Sequence, residues 1–115
     1  FRPVQDAAVA ALDGDQTWLE ERNEVYRKRR DLLVASLKEV GIEMDIPRAS
    51  LYVWAKTPSG YTSEEFTTWL LEEIGISITP GTVYGECGKG YLRISLGRST
   101  ERIEEAMERL KRAIR

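Results

Sequence analysis

The sequence contains no histidine and a single cysteine, Cys87, among its 115 residues. Without imidazole there is no His-based triad, no imidazole general base and no His-ligated metal site. One thiol cannot close a disulfide within the chain or build a cysteine metal cluster, and its isolation fits a reducing compartment. Long apolar runs are missing too. No stretch approaches the roughly 20 residues of a membrane span, and no secretory leader pattern is present. Neither sign of charge dominates: 17 basic and 19 acidic residues leave a net charge of −2. That balance marks neither nucleic acid nor an anionic membrane as a partner. What is there is an ordinary globular mixture, 42% hydrophobic and 31% charged, of a length typical for one domain. Cytoplasmic localisation is therefore expected. The chain opens on Phe1 and enters a helix at once, so it is expected to be an excised piece of a longer protein.

Periodicity divides the chain into eight elements. Pro3–Leu12 reads as a short helix with Val4, Ala8 and Ala11 on one side, closed by Asp13-Gly14. A long helix follows from about Thr17 to Val40, with a capping box at Thr17 and Glu20 and a stop at Gly41. Trp18, Val25 and Leu32 form one row along it, Leu19, Tyr26 and Leu33 the next, and Leu37 and Val40 extend the seam. The basic run Arg27-Lys28-Arg29-Arg30 reads as a solvated face, with Glu24 and Lys28 paired one turn apart. Ile42–Ile46 is expected as a short edge strand stopped by Pro47. Leu51–Lys56 alternates clearly and is a second strand. Thr62 caps a third helix, Glu65 closes its capping box, and Tyr61 staples onto Phe66. Phe66, Trp69, Leu70 and Ile74 are its buried face, and Gly75 ends it. Ile76–Thr79 is a short strand, Pro80–Gly90 a glycine-rich loop and Tyr91–Leu96 another alternating strand. Ser99 then caps a final helix whose inner stripe is Ile103, Ala106, Met107, Leu110 and Ile114. This order predicts an α+β two-layer sandwich: a small, mostly antiparallel or mixed sheet with helices packed on one face.

The alternation assigns faces. Leu51, Val53, Leu92 and Ile94 belong under the helices, which leaves Tyr52, Trp54, Tyr91 and Arg93 on the other side. Aromatic rings around an arginine on an open sheet face point to a partner, a ligand or a missing domain. An arginine beside a glycine-rich loop is suited to a carboxylate or a phosphate. Two other functions would also use such a face. One is a nucleic-acid-binding sheet, whose aromatics stack bases, though the acidic balance and the lack of a basic rim argue against it. The other is a regulatory amino-acid-binding domain, which the loop PGTVYGECGKG fits poorly.

The segment ITPGTVYGECGKGYLRISLG resembles the C-terminal signature of the fold-type-I, class I/II pyridoxal-phosphate-dependent aminotransferases. The matching residues are Pro80-Gly81, Tyr84-Gly85, Gly88 with Gly90, and Leu92-Arg93-Ile94-Ser95. Upstream, FRPVQDAAVAAL, the long helix with YRKRRDLL, and PRASLYVWAKTP are similar to the family's re-entry helix, interdomain helix and small-domain strand, in that order. Within the family, PRASLYVWAKTPSGYTSEEFTTWLLEEIGISITPG is most similar to the LL-diaminopimelate aminotransferase group. The resemblance implies that residues 1–115 are the C-terminal small domain of an enzyme moving an amino group between an amino acid and a 2-oxo acid, with a homodimeric parent. It implies that Arg93 grips the substrate α-carboxylate and that Tyr52 and Tyr84 line the pocket. Cys87 falls where the family varies and receives no role. The cofactor's lysine with its serine-rich flank, its aspartate and its phosphate-binding residues have no counterpart here. Lys28, Lys38, Lys56, Lys89 and Lys111 all lack that flank. The chain alone is therefore expected to be inactive and to bind no cofactor, with the large domain as its missing partner.

Overall fold

The computed structural model describes residues 1–114. Four helices and three strands follow one another: α1 Arg2–Asp13, α2 Thr17–Glu39, β1 Tyr52–Lys56, α3 Ser63–Ile74, β2 Thr79–Pro80, β3 Tyr91–Ser95 and α4 Thr100–Ile114. The sheet order is β1-β3-β2 and both pairings are antiparallel. The α+β sandwich is thus present, with three strands instead of the four expected. Ile42–Ile46 contributes one isolated bridge, Met44 to Ala55, because Pro47 has no N–H with which to continue a ladder. The strand expected at Ile76–Thr79 shrinks to Thr79–Pro80, again ending on a proline.

One face of the sheet is covered by α2, α3 and α4. Val53, Ala55 and Leu92 are fully buried, and Leu33, Leu37, Phe66, Leu70, Ile103, Met107 and Leu110 close over them. α3 starts as its sequence dictates: the Thr62 hydroxyl accepts from Glu65 N–H at 3.2 Å while the Glu65 carboxylate accepts from Thr62 N–H at 2.8 Å. The Tyr61 ring meets Phe66 with centroids 5.5 Å apart, the expected staple. Gly75 ends the helix in the left-handed conformation that a residue without Cβ adopts freely.

Elsewhere local chemistry departs from the reading. Thr17 is not a cap. Its N–H and hydroxyl both donate to Asp15 Oδ1, at 3.0 and 2.7 Å, since a carboxylate accepts more strongly than a hydroxyl beside a helix N-terminus. These bonds, that of the Thr17 hydroxyl first, hold the Asp15 carboxyl below the usual range. Two members of the basic run are structural. Arg29 donates to Leu96 O and Thr100 Oγ1, and Arg30 donates to Pro47 O, so both tie α2 to the loops beside it. Leu51 is 38% exposed instead of buried. Ser50, at φ 79°, turns the chain immediately before it, so regular alternation begins only at Tyr52. Trp69 and Ile74 are half-buried, and Ile114 is exposed because the buried stripe of α4 ends one turn earlier at Leu110.

α1 and the front of α2 lie off this core. α1 buries no residue, and α2 buries only Leu33, Val34, Ser36 and Leu37 near its end. The rows expected from Trp18 onward are therefore packed only in their second half. The radius of gyration, 17.2 Å, exceeds the roughly 13 Å of a compact chain of this length. Phe1, Val4, Val9, Leu12 and Trp18 stand exposed along this projecting arm.

Candidate functional site

Strand alternation places Tyr52, Trp54, Lys56, Tyr91 and Arg93 on the sheet face turned away from the helices, as the period-two reading expected. Register sets Arg93 beside Trp54 of β1 and beside Thr79 of β2, so the arginine occupies the middle strand of the face. Trp54 stacks on Tyr91 with centroids 5.6 Å apart, and Tyr84 meets the Trp54 edge at 6.0 Å. Arg93 is half-buried within this group. Its Cζ lies 4.2 Å from the centre of the Tyr52 ring and 4.6 Å from that of Tyr84. The structure thus brings Arg93, Tyr52 and Tyr84 into one cluster.

A guanidinium laid against ring faces keeps its N–H edge available. Among the described residues no carboxylate pairs with Arg93 and no oxygen accepts from its side chain. Arg29, Arg30 and Arg109, by contrast, all donate to backbone carbonyls. Arg93 holds a cation in place with its donors unspent, which is the arrangement that takes a planar carboxylate through two parallel N–H···O bonds.

Tyr84 reaches this face on a loop whose shape the glycines decide. Residues Gly81–Tyr84 and Glu86–Gly88 form two short 3-10 turns that meet backbone to backbone. A Cβ on Gly88 would lie 1.9 Å from Gly81 O, and one on Gly81 would lie 2.2 Å from Gly88 O. The start of α3 anchors the same loop. Buried Ser63 accepts from Gly90 N–H at 3.1 Å and shares a hydrogen bond with Thr57, while Thr82 donates to the Glu64 carboxylate. The Thr82 hydroxyl is also the main cause that holds the Glu64 carboxyl below its usual range. Sequence reading missed this anchorage. A serine following a capping threonine carries no mark of the distant loop that it ties down. Cys87 is exposed on the second turn. Gly88→Ala should lower stability by about 1–3 kcal/mol, the range for forcing atoms into filled space. Denaturant unfolding checks this, and an unchanged midpoint would show that the two turns can separate at no cost.

Residues 1–110 match the family model described as aminotransferase class I and II. This chain belongs to that family. As an aminotransferase chain it is 50% identical over 111 residues to the LL-diaminopimelate aminotransferase of Halothermothrix orenii, covering 96% of this chain and 28% of that protein. It is 49% identical over 110 residues to the enzyme of the same name from Oleidesulfovibrio alaskensis, with the same coverage of 96% and 28%. Among solved structures, an aromatic aminotransferase from Pyrococcus horikoshii superposes with a TM-score of 0.89 at 35% identity, over 96% of this chain and 31% of that one. An alanine aminotransferase from Pyrococcus furiosus gives 0.88 at 30%, over 97% and 29%. The chain therefore spans less than a third of the length of the relatives it matches. These matches leave the nucleic-acid reading without support.

The family depends on pyridoxal phosphate. The residues present do not fit its covalent anchor, which must be a lysine able to shed its proton. Of the five lysines only Lys56 shares the face of Arg93, and its Nζ is held 2.7 Å from Glu43 Oε2. That hydrogen bond raises the Lys56 pKa, keeping the amine protonated. Lys28, Lys89 and Lys111 lie in ion pairs away from it, and Lys38 is exposed near the end of α2. No helix among the described residues is long and apolar enough to cross a membrane.

Proposed function

We propose that residues 1–115 are the small, substrate-binding domain of an aminotransferase that moves an amino group between an amino acid and a 2-oxo acid. The observation that carries this is Arg93, a cation fixed by aromatic faces with its N–H edge unpaired, inside a chain of this family. Arg93 grips the substrate α-carboxylate, and Tyr52 and Tyr84 line the pocket beside it. Pyridoxal phosphate, held by the rest of the protein, supplies the electron sink at the substrate α-carbon. What these residues add is orientation: a carboxylate gripped at two oxygens cannot rotate, so the bond to be broken at Cα is presented in one direction. The names of the relatives that are 49% and 50% identical make LL-diaminopimelate the first amino donor to assay. The uncovered apolar residues of α1 and the front of α2 support a further domain of the same protein lying over them. The whole enzyme acts as a homodimer in the cytoplasm, and this chain alone does not catalyse transamination.

The test uses the full-length protein loaded with pyridoxal phosphate, reduced with borohydride and mapped by mass spectrometry. The expected label falls on one lysine outside residues 1–115, and amino transfer from an amino acid to a 2-oxo acid is lost with it. A dominant, stoichiometric label on Lys28, Lys38, Lys56, Lys89 or Lys111 would refute the division of labour proposed.

A further inference from the structure

We infer that Tyr52 and Tyr84 are positioning residues: their ring faces, in place of a carboxylate partner, hold the Arg93 guanidinium aimed at the substrate. This rests on the reading of Arg93 as the carboxylate-binding group. Two physical demands conflict at such a site. An arginine on a sheet has several rotatable bonds and ordinarily loses its freedom by pairing with an acidic side chain. A fixed acidic partner would occupy the N–H edge that the substrate needs and neutralise the charge that attracts it. Ring faces resolve the conflict. They attract the cation through the π quadrupole, act on the face of the guanidinium and consume none of its donors.

The geometry meets this demand at each point. The Cζ distances of 4.2 and 4.6 Å lie well within the roughly 6 Å reach of the interaction. The two rings come from different elements, Tyr52 from β1 and Tyr84 from the loop, so the arginine is braced from the sheet and from outside it. Tyr84 is itself braced by the Trp54 edge, and Trp54 by Tyr91. Neither tyrosine hydroxyl makes a hydrogen bond to another side chain or to the backbone among the described residues, which assigns the work to the rings. The loop anchors at Ser63 and Thr82 then acquire a purpose, since they hold one wall of the clasp in place.

The experiment uses the full-length protein with pyridoxal phosphate and a donor panel of LL-diaminopimelate, L-alanine, L-aspartate and L-phenylalanine, taking forward the donor with the highest kcat/KM. Tyr52→Leu and Tyr84→Leu should each raise KM about 3- to 10-fold with a much smaller change in kcat, the double variant losing more than either. Tyr52→Phe and Tyr84→Phe should recover most of that loss, because the ring is kept and only the hydroxyl goes. Phenylalanines carrying successively more ring fluorines at positions 52 and 84 keep the shape and drain the π face, so KM should climb with fluorine number whether or not the leucine variants fold. A flat fluorine series, or phenylalanine variants as impaired as leucine, would overturn the inference. Arg93→Gln separates the two levels. If it costs nothing, the carboxylate reading itself is wrong. If it costs at least tenfold while the ring variants are silent, only the positioning role fails. A full-length protein without turnover on any donor overturns both.

Discussion

Replacing Arg93 by lysine in the full-length protein should lower kcat/KM for amino donors by about 10- to 150-fold, with little change in stability. The range is that of losing one charge-assisted hydrogen bond, about 1.5–3 kcal/mol, expressed as a rate. Lysine keeps the positive charge, so the carboxylate is still attracted. It loses the planar fork, so the carboxylate is no longer oriented, and a compact ammonium spreads less well over the faces of Tyr52 and Tyr84. The fold should tolerate the change because Arg93 lies on the face away from the core, and among the described residues its side chain makes no hydrogen bond or ion pair to another element. Affinity for pyridoxal phosphate should hold as well, since the role proposed for Arg93 is toward the substrate and not the cofactor. Dicarboxylic and monocarboxylic donors share the α-carboxylate, and both should suffer. Unchanged kcat/KM for both would show that Arg93 does not bind the carboxylate.

Leu92→Ala should produce the opposite pattern, a large loss of stability originating on the other face of the same strand. Leu92 neighbours Arg93 in sequence but points into the helices, with no exposed surface. Truncating a buried leucine to alanine removes its transfer free energy and leaves a cavity, together about 2–5 kcal/mol. Ala55, its partner in register on β1, is already small and cannot grow into the space. Denaturant unfolding should show a midpoint shifted by that amount. Molecules still folded should bind the donor with nearly unchanged KM, because the Arg93 clasp lies across the sheet. A shift below about 1 kcal/mol would mean that the helices collapse onto the sheet more freely than a close-packed core allows.

The faces of the two long strands could be read from the chain because a period of two is a local property. Tyr52 with Trp54 and Tyr91 with Arg93 each share a side of their own strand, and the register that buries Val53, Ala55, Leu92 and Ile94 together puts both pairs on one face. The start of α3 was equally legible: its cap, its box and its staple lie within six residues, Tyr61 to Phe66. Local signals failed wherever a stronger partner stood nearby. Asp15 displaced Thr17 as the acceptor at α2, Pro47 limits Ile42–Ile46 to one bridge, and of Ile76–Thr79 only Thr79 joins the ladder, together with Pro80. The resemblance singled out Arg93, Tyr52 and Tyr84, and no spacing rule could say that they touch. Tyr52 and Arg93 are brought together by antiparallel register, and Tyr84 arrives on a loop shaped by Gly81 against Gly88 and tied to Ser63 and Glu64. Sequence by itself determined the helices, the faces of β1 and β3 and the resemblance to the family, because these depend on neighbours along the chain. Only the tertiary structure decided which rings meet the guanidinium and that its N–H edge is left free among the described residues, because Tyr52 lies 41 positions from Arg93 and Tyr84 reaches the same face only through a loop folded back on itself.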